Sequence, residues 1–311
     1  MAFRYVNPGY VYLLDSDVTA TQINSNTYSK TGVAFTQTNS DAGVTIPQFA
    51  EGDDFWAKFD VYIPDDTYSE VFCFSPRTYR AGLLADLYSY KDSKVYAYFG
   101  NGIRTLLVGG NNNTVGIKLG GINLFIVHIV YGDSSTALVE VFINGNHFFS
   151  GDNQIVYSTA YSEIARLCSP NANVKFSNVI FSDTEISPKE QAIALPISAT
   201  ATDMTAGENG MYTAATAGQT LLQTPDITAL AQEFSGKSKI TGIQVVGNPA
   251  YKTSTGLETM IGLSKSGTVT TEHGSYTLGT DSTALVMDGW SLSGVPLDDL
   301  SNMQFGWKTA D

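Results

Sequence analysis

The chain has 311 residues and a formal net charge of −13, and its 17 Lys and Arg form no dense cluster, so a phosphate backbone would be repelled and nucleic acid is not an expected partner. At roughly 100 to 200 residues per domain, this length predicts two domains, each large enough for its own core. Only 15% of the residues are charged, against about 25% in an average domain, while 12% are aromatic and 29 are glycine, a balance that suits short strands joined by many turns.

The opening MAFRYVNPGYVYLL breaks its apolar run at Asn7, Pro8 and Gly9, so it does not read as a signal-peptide core. The longest apolar run, residues 124–130, is far short of the roughly 20 residues that span a bilayer and contains His128, so no membrane partner is expected. Residues 1–30 hold short candidate strands and either begin the first sandwich or form an arm. The next stretch is clearer: Phe55, Ala57, Phe59, Val61 and Ile63 alternate with Trp56, Lys58, Asp60 and Tyr62 at the two-residue period of a strand. The first set is a core face, and the second mixes aromatic and charged groups as on a partly wet sheet surface. Val95, Ala97 and Phe99 oppose Tyr96 and Tyr98 in the same way.

Residues 124–131 are β-branched and aromatic without a break, Gly132 to Ser135 supply turn residues, and Ala137, Val139, Val141 and Ile143 alternate with Leu138, Glu140 and Phe142. Asn144-Gly145, which tolerates positive φ at both turn positions, then closes a tight hairpin into His147, Phe148 and Phe149. Ser187-Pro188-Lys189-Glu190 has the capping-box pattern with proline at the first helical position, which predicts a short helix to about residue 194. Beyond Pro196 the chain turns toward Thr, Gly and Ala, so the boundary falls there and the domains are 1–194 and 195–311. Thr224-Pro225-Asp226 predicts a helix start, with Ile227, Leu230, Ala231 and Phe234 on one face. Strands are expected at 240–246, 260–263, 268–271 and 284–287.

VEVFINGNHFFSG resembles the strand, Asn-Gly turn, strand signature of laminin-G-like or concanavalin-A-like jelly-roll domains, and GVAFTQTNSDAGVTIPQFAEGDDFWAKFDVYIPD and VKFSNVIFSDTEISPKE resemble their opening and closing strands. The likeness covers roughly residues 30–190. The ending DGWSLSGVPLDDLSNMQFGWKTAD resembles the carboxy terminus of many bacteriophage tail and virion proteins, through Trp290, Asp299, Leu300, Gln304 and Gly306. The expected fold class is therefore all-β, with two β-sandwich domains: a laminin-G-like jelly roll, then a smaller mostly β domain with a short helix.

Chemistry is sparse. Glycanases of the concanavalin-A-like class place acidic residues at alternate positions of one strand, and neither such spacing occurs here. Asp53-Asp54 and Asp65-Asp66 read as solvated loop charge, with a calcium site as the sharper alternative. His128 sits mid-strand and reads as buried and hydrogen-bonded, and His147 and His273 form no triad or metal spacing with it. Cys73 and Cys168 are too few for a disulfide framework and read as thiols of a reducing cytoplasm, near one another or not.

What remains is binding. Jelly-roll lectins stack aromatic rings on sugars beside polar side chains, so Trp56, Asp60, Tyr62, Tyr96 and Tyr98 are the candidate carbohydrate-binding residues. The two resemblances imply a structural or binding component of a bacteriophage or prophage virion, a tail or receptor-binding part, assembled in the bacterial cytoplasm, forming a homo-oligomer, recognising a host-surface glycan or another virion protein, and not an enzyme. The alternative is a carbohydrate-binding module or adhesin, or a glycan-degrading enzyme.

Overall fold

The computed structural model describes residues 4–7, 20–24, 33–37, 43–46, 54–64, 73–75, 81–86, 94–99, 104–108, 118, 120–131, 136–154, 165–168, 173–234, 238–247, 249–254, 256–282 and 286–311. Side chains are described for most of 54–64, 118–130, 140–147 and 173–311. The chain is all-β with several antiparallel sheets, and it divides into two compact units, Tyr5–Ile193 and one containing Ala194–Asp311.

The strands of the first unit are β1 (Arg4–Asn7), β2 (Ala20–Asn24), β3 (Val33–Gln37), β4 (Gly43–Ile46), β5 (Asp54–Ile63), β6 (Cys73–Ser75) and β7 (Ala81–Asp86). They continue as β8 (Lys94–Phe99), β9 (Arg104–Val108), β10 (Gly121–Tyr131), β11 (Thr136–Ile143), β12 (Asn146–Gln154), β13 (Ala165–Cys168) and β14 (Lys175–Ser182). One sheet runs β12-β11-β10-β5-β14-β3-β2, with β1 also on β14, and the other runs β4-β13-β6-β7-β8-β9. The Asn-Gly hairpin forms as its sequence predicts, with Asn144 at φ 51° and Gly145 at φ 82° linking β11 to β12.

Alternation along β5 sends Ala57, Phe59, Val61 and Ile63 to one face, where each is fully buried beside Phe125 and Val127 of β10 and Val141 and Ile143 of β11. Each such side chain contributes on the order of 1.5–3 kcal/mol by leaving water. The opposite face is not the partly wet surface the sequence predicts. Lys58 and Asp60 there are 1% exposed, because the chain leaving β14 folds back across them and lays Ile186 and Ala192 against Ile180 and Trp56.

This cover also explains why the capping box does not start a helix. The Ser187 amide donates to Glu190 Oε1 (3.2 Å), the Lys189 amide donates to Ser187 Oγ (3.3 Å) and the Glu190 amide closes one turn on the Ser187 carbonyl (3.0 Å). The next backbone groups go elsewhere: the Glu190 carbonyl accepts from Lys58 Nζ, and the Ala192 amide donates to Asn178 Oδ1 (2.6 Å). A helix needs those groups for itself, so residues 191–196 run on without helix.

The second unit comprises β15 (Ile197–Thr202), β16 (Thr205–Ala206), β17 (Tyr212–Thr213), β18 (Thr220–Pro225), β19 (Lys239–Gly247), β20 (Thr259–Ser266), β21 (Val269–Thr277), β22 (Val286–Pro296) and β23 (Met303–Ala310). Its sheets are β15-β18-β23-β20-β21, β19-β22 and β16-β17. The expected helix is shorter than its sequence signal, α1 (Thr228–Glu233), because Thr224 and Pro225 are held in β18 by pairing with β15. Its Ile227, Leu230 and Phe234 still pack on the core of Trp290, Leu297, Leu300 and Phe305, as the helical spacing predicts. Gly306 has a steric reason to be glycine, since a Cβ there would lie 1.9 Å from the Leu221 carbonyl oxygen of the neighbouring strand.

Candidate functional site

Among the described residues, sheltered ionisable side chains gather in a cluster on each unit. In the first, the register sets Trp56 of β5 opposite His128 of β10, and His128 opposite Glu140 of β11, so the three share one sheet face. Asp54, two residues before Trp56, joins them at the strand end. His128 Nε2 lies 2.8 Å from Asp54 Oδ1, and its Nδ1 lies 2.8 Å from Glu140 Oε2. A carboxylate only accepts, so both bonds are filled when each ring nitrogen carries a proton. The Trp56 indole stacks on the imidazole at a centroid distance of 4.0 Å and an interplanar angle of 8°. The side chain of His128 is 13% exposed, Glu140 29% and Asp54 57%, so the imidazole is sheltered while Asp54 is open to solvent.

The structure therefore gathers only part of the predicted sugar site. Trp56 is in the cluster, but one indole face lies against His128 and the ring also packs on the Ile180, Ile186 and Ala192 cluster. Asp60 is buried, with Oδ2 accepting from Asn178 Nδ2 (3.1 Å). Tyr62 is half-buried at the far end of β5, where Lys175 Nζ stands 5.6 Å from its ring centroid and burial lowers the Lys175 pKa. Tyr96 and Tyr98 lie on β8, and their side chains, like Asp53 and the Asp65-Asp66 pair, fall outside the described residues. Asp54 and Glu140 had no spacing signal, because Asp54 lies 74 positions before His128 and Glu140 meets it only through the register of β10 with β11.

The second cluster centres on Asp288 of β22, which is 4% exposed. Its Oδ2 accepts from the Gly274 amide (2.8 Å) and its Oδ1 from the Tyr276 hydroxyl (2.9 Å). Two glycines make room for it, since a Cβ at Gly262 would lie 1.8 Å from Oδ2 and one at Gly274 would lie 2.8 Å from Oδ1. His273 stacks on Trp290 at 3.9 Å and its Nε2 meets Ser264 Oγ at 2.8 Å. Burial lowers the His273 pKa, with the Asp288 charge opposing, while burial and then Asp288 raise that of Tyr276 well above the ordinary phenol value. Ser264 and His273 are within reach of each other, but both Asp288 oxygens are taken by Gly274 and Tyr276. The depression formed by Ala214, Ala215, Gly256, Leu257, Glu258 and Asp311 includes none of these groups. We read this second cluster as a packed polar network between the β19-β22 sheet and the five-stranded sheet. Among the described residues no group of three His, Cys, Asp or Glu is arranged to hold a metal.

No protein-family model and no curated protein matches the chain. Solved structures do: an endo-β-1,4-glucuronan lyase from the fungus Trichoderma reesei at 12% identity and TM-score 0.42, over 60% of this chain and 98% of that one. An alginate lyase in complex with alginate trisaccharide matches at 12% identity and TM-score 0.32, over 58% and 97%. An α-L-arabinofuranosidase matches at 10% identity and TM-score 0.26, over 70% and 55%. Two expectations are corrected on this finding. The sequence reading points to a virion component that is not an enzyme, whereas these three structures are a glucuronan lyase, an alginate lyase and an arabinofuranosidase. At these identities and TM-scores the likeness itself assigns no activity.

Proposed function

We propose that the chain is a glycan-directed protein that breaks a glycosidic linkage, with Asp54, His128 and Glu140 as its acid–base group. The observation that carries this reading is the imidazole held at 2.8 Å from a carboxylate on either side at the edge of a sheet face. Cleaving a sugar chain requires a proton for the departing oxygen and a base on the other side of the reaction. With both ring nitrogens hydrogen-bonded, the imidazole can relay a proton between Asp54 and Glu140, and these carboxylates are the groups that would meet the sugar as acid and base. Asp54 is the more accessible acceptor for sugar hydroxyls, and Trp56 is a positioning residue whose indole fixes the plane of the imidazole ring.

The test is incubation of the full chain with neutral polysaccharides and with polymers of uronic acids, reading new reducing ends and the ultraviolet absorbance of unsaturated sugars. Wild type is expected to cleave at least one polymer, and His128→Asn to lose about 100-fold or more of that rate, in line with the usual worth of a positioned acid–base group. Retained substrate retardation in an affinity gel would show that the variant is folded. A wild-type chain that neither binds nor cleaves any polymer would overturn the reading. Binding without cleavage, weakened by Asp54→Asn, would replace it with a carbohydrate-binding module.

A further inference from the structure

We propose that Cys73 and Cys168 are the two halves of an intramolecular cross-strand disulfide, because the antiparallel pairing of β6 with β13 sets these two residues directly opposite one another. The register runs Arg166 to Ser75, Leu167 to Phe74 and Cys168 to Cys73. These are the only cysteines in the chain. They are separated by about 95 positions, so only the sheet brings them to one register position and on to one sheet face.

Directly opposed residues of an antiparallel pair have Cα atoms about 4.5 Å apart at non-hydrogen-bonded positions and about 5.5 Å apart at hydrogen-bonded ones. Both values fall within the roughly 4.4–6.8 Å between Cα atoms that a disulfide spans. The place in the sheet also suits it. Cys73 begins β6 and Cys168 ends β13, so the pair is the last of the ladder between these two strands. On its other side Cys168 faces Gly43 of β4, which carries no side chain to compete for the same face.

The chemistry balances with a disulfide oxidant such as glutathione disulfide. One cysteine thiolate attacks it and releases glutathione thiolate, and the second cysteine thiolate then displaces the other glutathione. Two electrons pass from the cysteine pair to glutathione disulfide, which becomes two glutathione thiols as it collects the two protons. The linkage would tie two neighbouring strands of the six-stranded sheet and close a long loop, the case in which cross-linking restricts the unfolded chain most. It also predicts an oxidising compartment for the mature protein, against the reducing one its low cysteine count implies.

The experiment uses the full chain, folded, equilibrated with glutathione disulfide, and then alkylated in denaturant and examined by mass spectrometry. The expected product is a monomer with no alkylated cysteine, a mass lower by two hydrogens, and a proteolytic peptide joining Cys73 to Cys168. Its thermal midpoint should stand about 5–15 °C above that of the dithiothreitol-reduced chain. The Cys73→Ser, Cys168→Ser double variant should unfold at the same temperature with and without reductant. Glutathione attached to each cysteine, two alkylated thiols, or a linkage between two chains would each overturn the proposal.

Discussion

Each unit buries a carboxylate carried by a strand, and the two do it by opposite means. In the first, Asp60 and its neighbour Lys58 are covered by chain that arrives later, and that chain offers backbone groups as partners: the Glu190 carbonyl for Lys58 and the Ala192 amide for Asn178, which in turn holds Asp60. In the second, Asp288 is accommodated by what is missing, since Gly262 and Gly274 leave the volume its carboxylate fills. A buried polar group must find hydrogen-bond partners in either case, because an unpaired one costs about 1–3 kcal/mol. The first arrangement depends on a strap that contributes polar atoms. The second depends on side chains that are absent.

That contrast can be broken most severely at Gly262. An added methyl would lie 1.8 Å from Asp288 Oδ2 and 2.7 Å from its carboxyl carbon, so the carboxylate must leave its bonds to Gly274 and Tyr276. Gly262→Ala is expected to cost about 3–6 kcal/mol, combining overpacking with a buried group left unpaired. Chemical denaturation of the variant measures this directly. Gly279→Ala, whose nearest neighbour would be 4.0 Å away, should stay within about 0.5 kcal/mol of wild type.

The strap should give a smaller effect at Lys58. Lys58→Met keeps most of the packing volume but leaves the Glu190 carbonyl without its ammonium donor, so a loss of about 1–3 kcal/mol is expected. Limited proteolysis should then find new cleavage within residues 183–192. Equal protease resistance in variant and wild type would mean that the apolar contacts of Ile186 and Ala192 hold the strap without Lys58.

The smallest effect is a pH dependence in the second unit. Burial holds the His273 pKa below the 6.5 of a free imidazole. In the interval between those two values the unfolded chain binds more protons than the folded one, so stability is fully present above about pH 6.5 and is lost as pH falls through the folded value. The thermal midpoint should therefore drop on mild acidification, and His273→Gln should make that drop shallower. An identical slope in the variant would show that other groups govern it.

Much of the fold is legible from local pattern. The inward residues Ala57, Phe59, Val61 and Ile63, the positive-φ hairpin at Asn144-Gly145 and the core around Trp290 and Leu300 are stated by two-residue alternation, turn chemistry and helical spacing. The candidate site was legible only in fragments. His128 reads as a buried, hydrogen-bonded histidine and Trp56 as an outward aromatic, but nothing local joins them to Asp54 and Glu140. The loop at 132–135 implies the pairing of β10 with β11 only to within one residue, and a one-residue slip would put Glu140 on the opposite face from His128.

What the amino-acid sequence determined by itself was therefore the all-β character, the strand faces and the turns, because these follow from periods of a few residues and from the φ preferences of Asn and Gly. Tertiary structure alone decided what lies over each face and which distant residues share a register. Lys58 is covered by residues more than a hundred positions later, Asp288 is seated by glycines on two other strands, and Cys73 faces Cys168 across a strand pair. Those relations depend on sheet order and on long-range chain return. Neither leaves a local period in the sequence, since strand pairing is made by backbone groups that every residue carries.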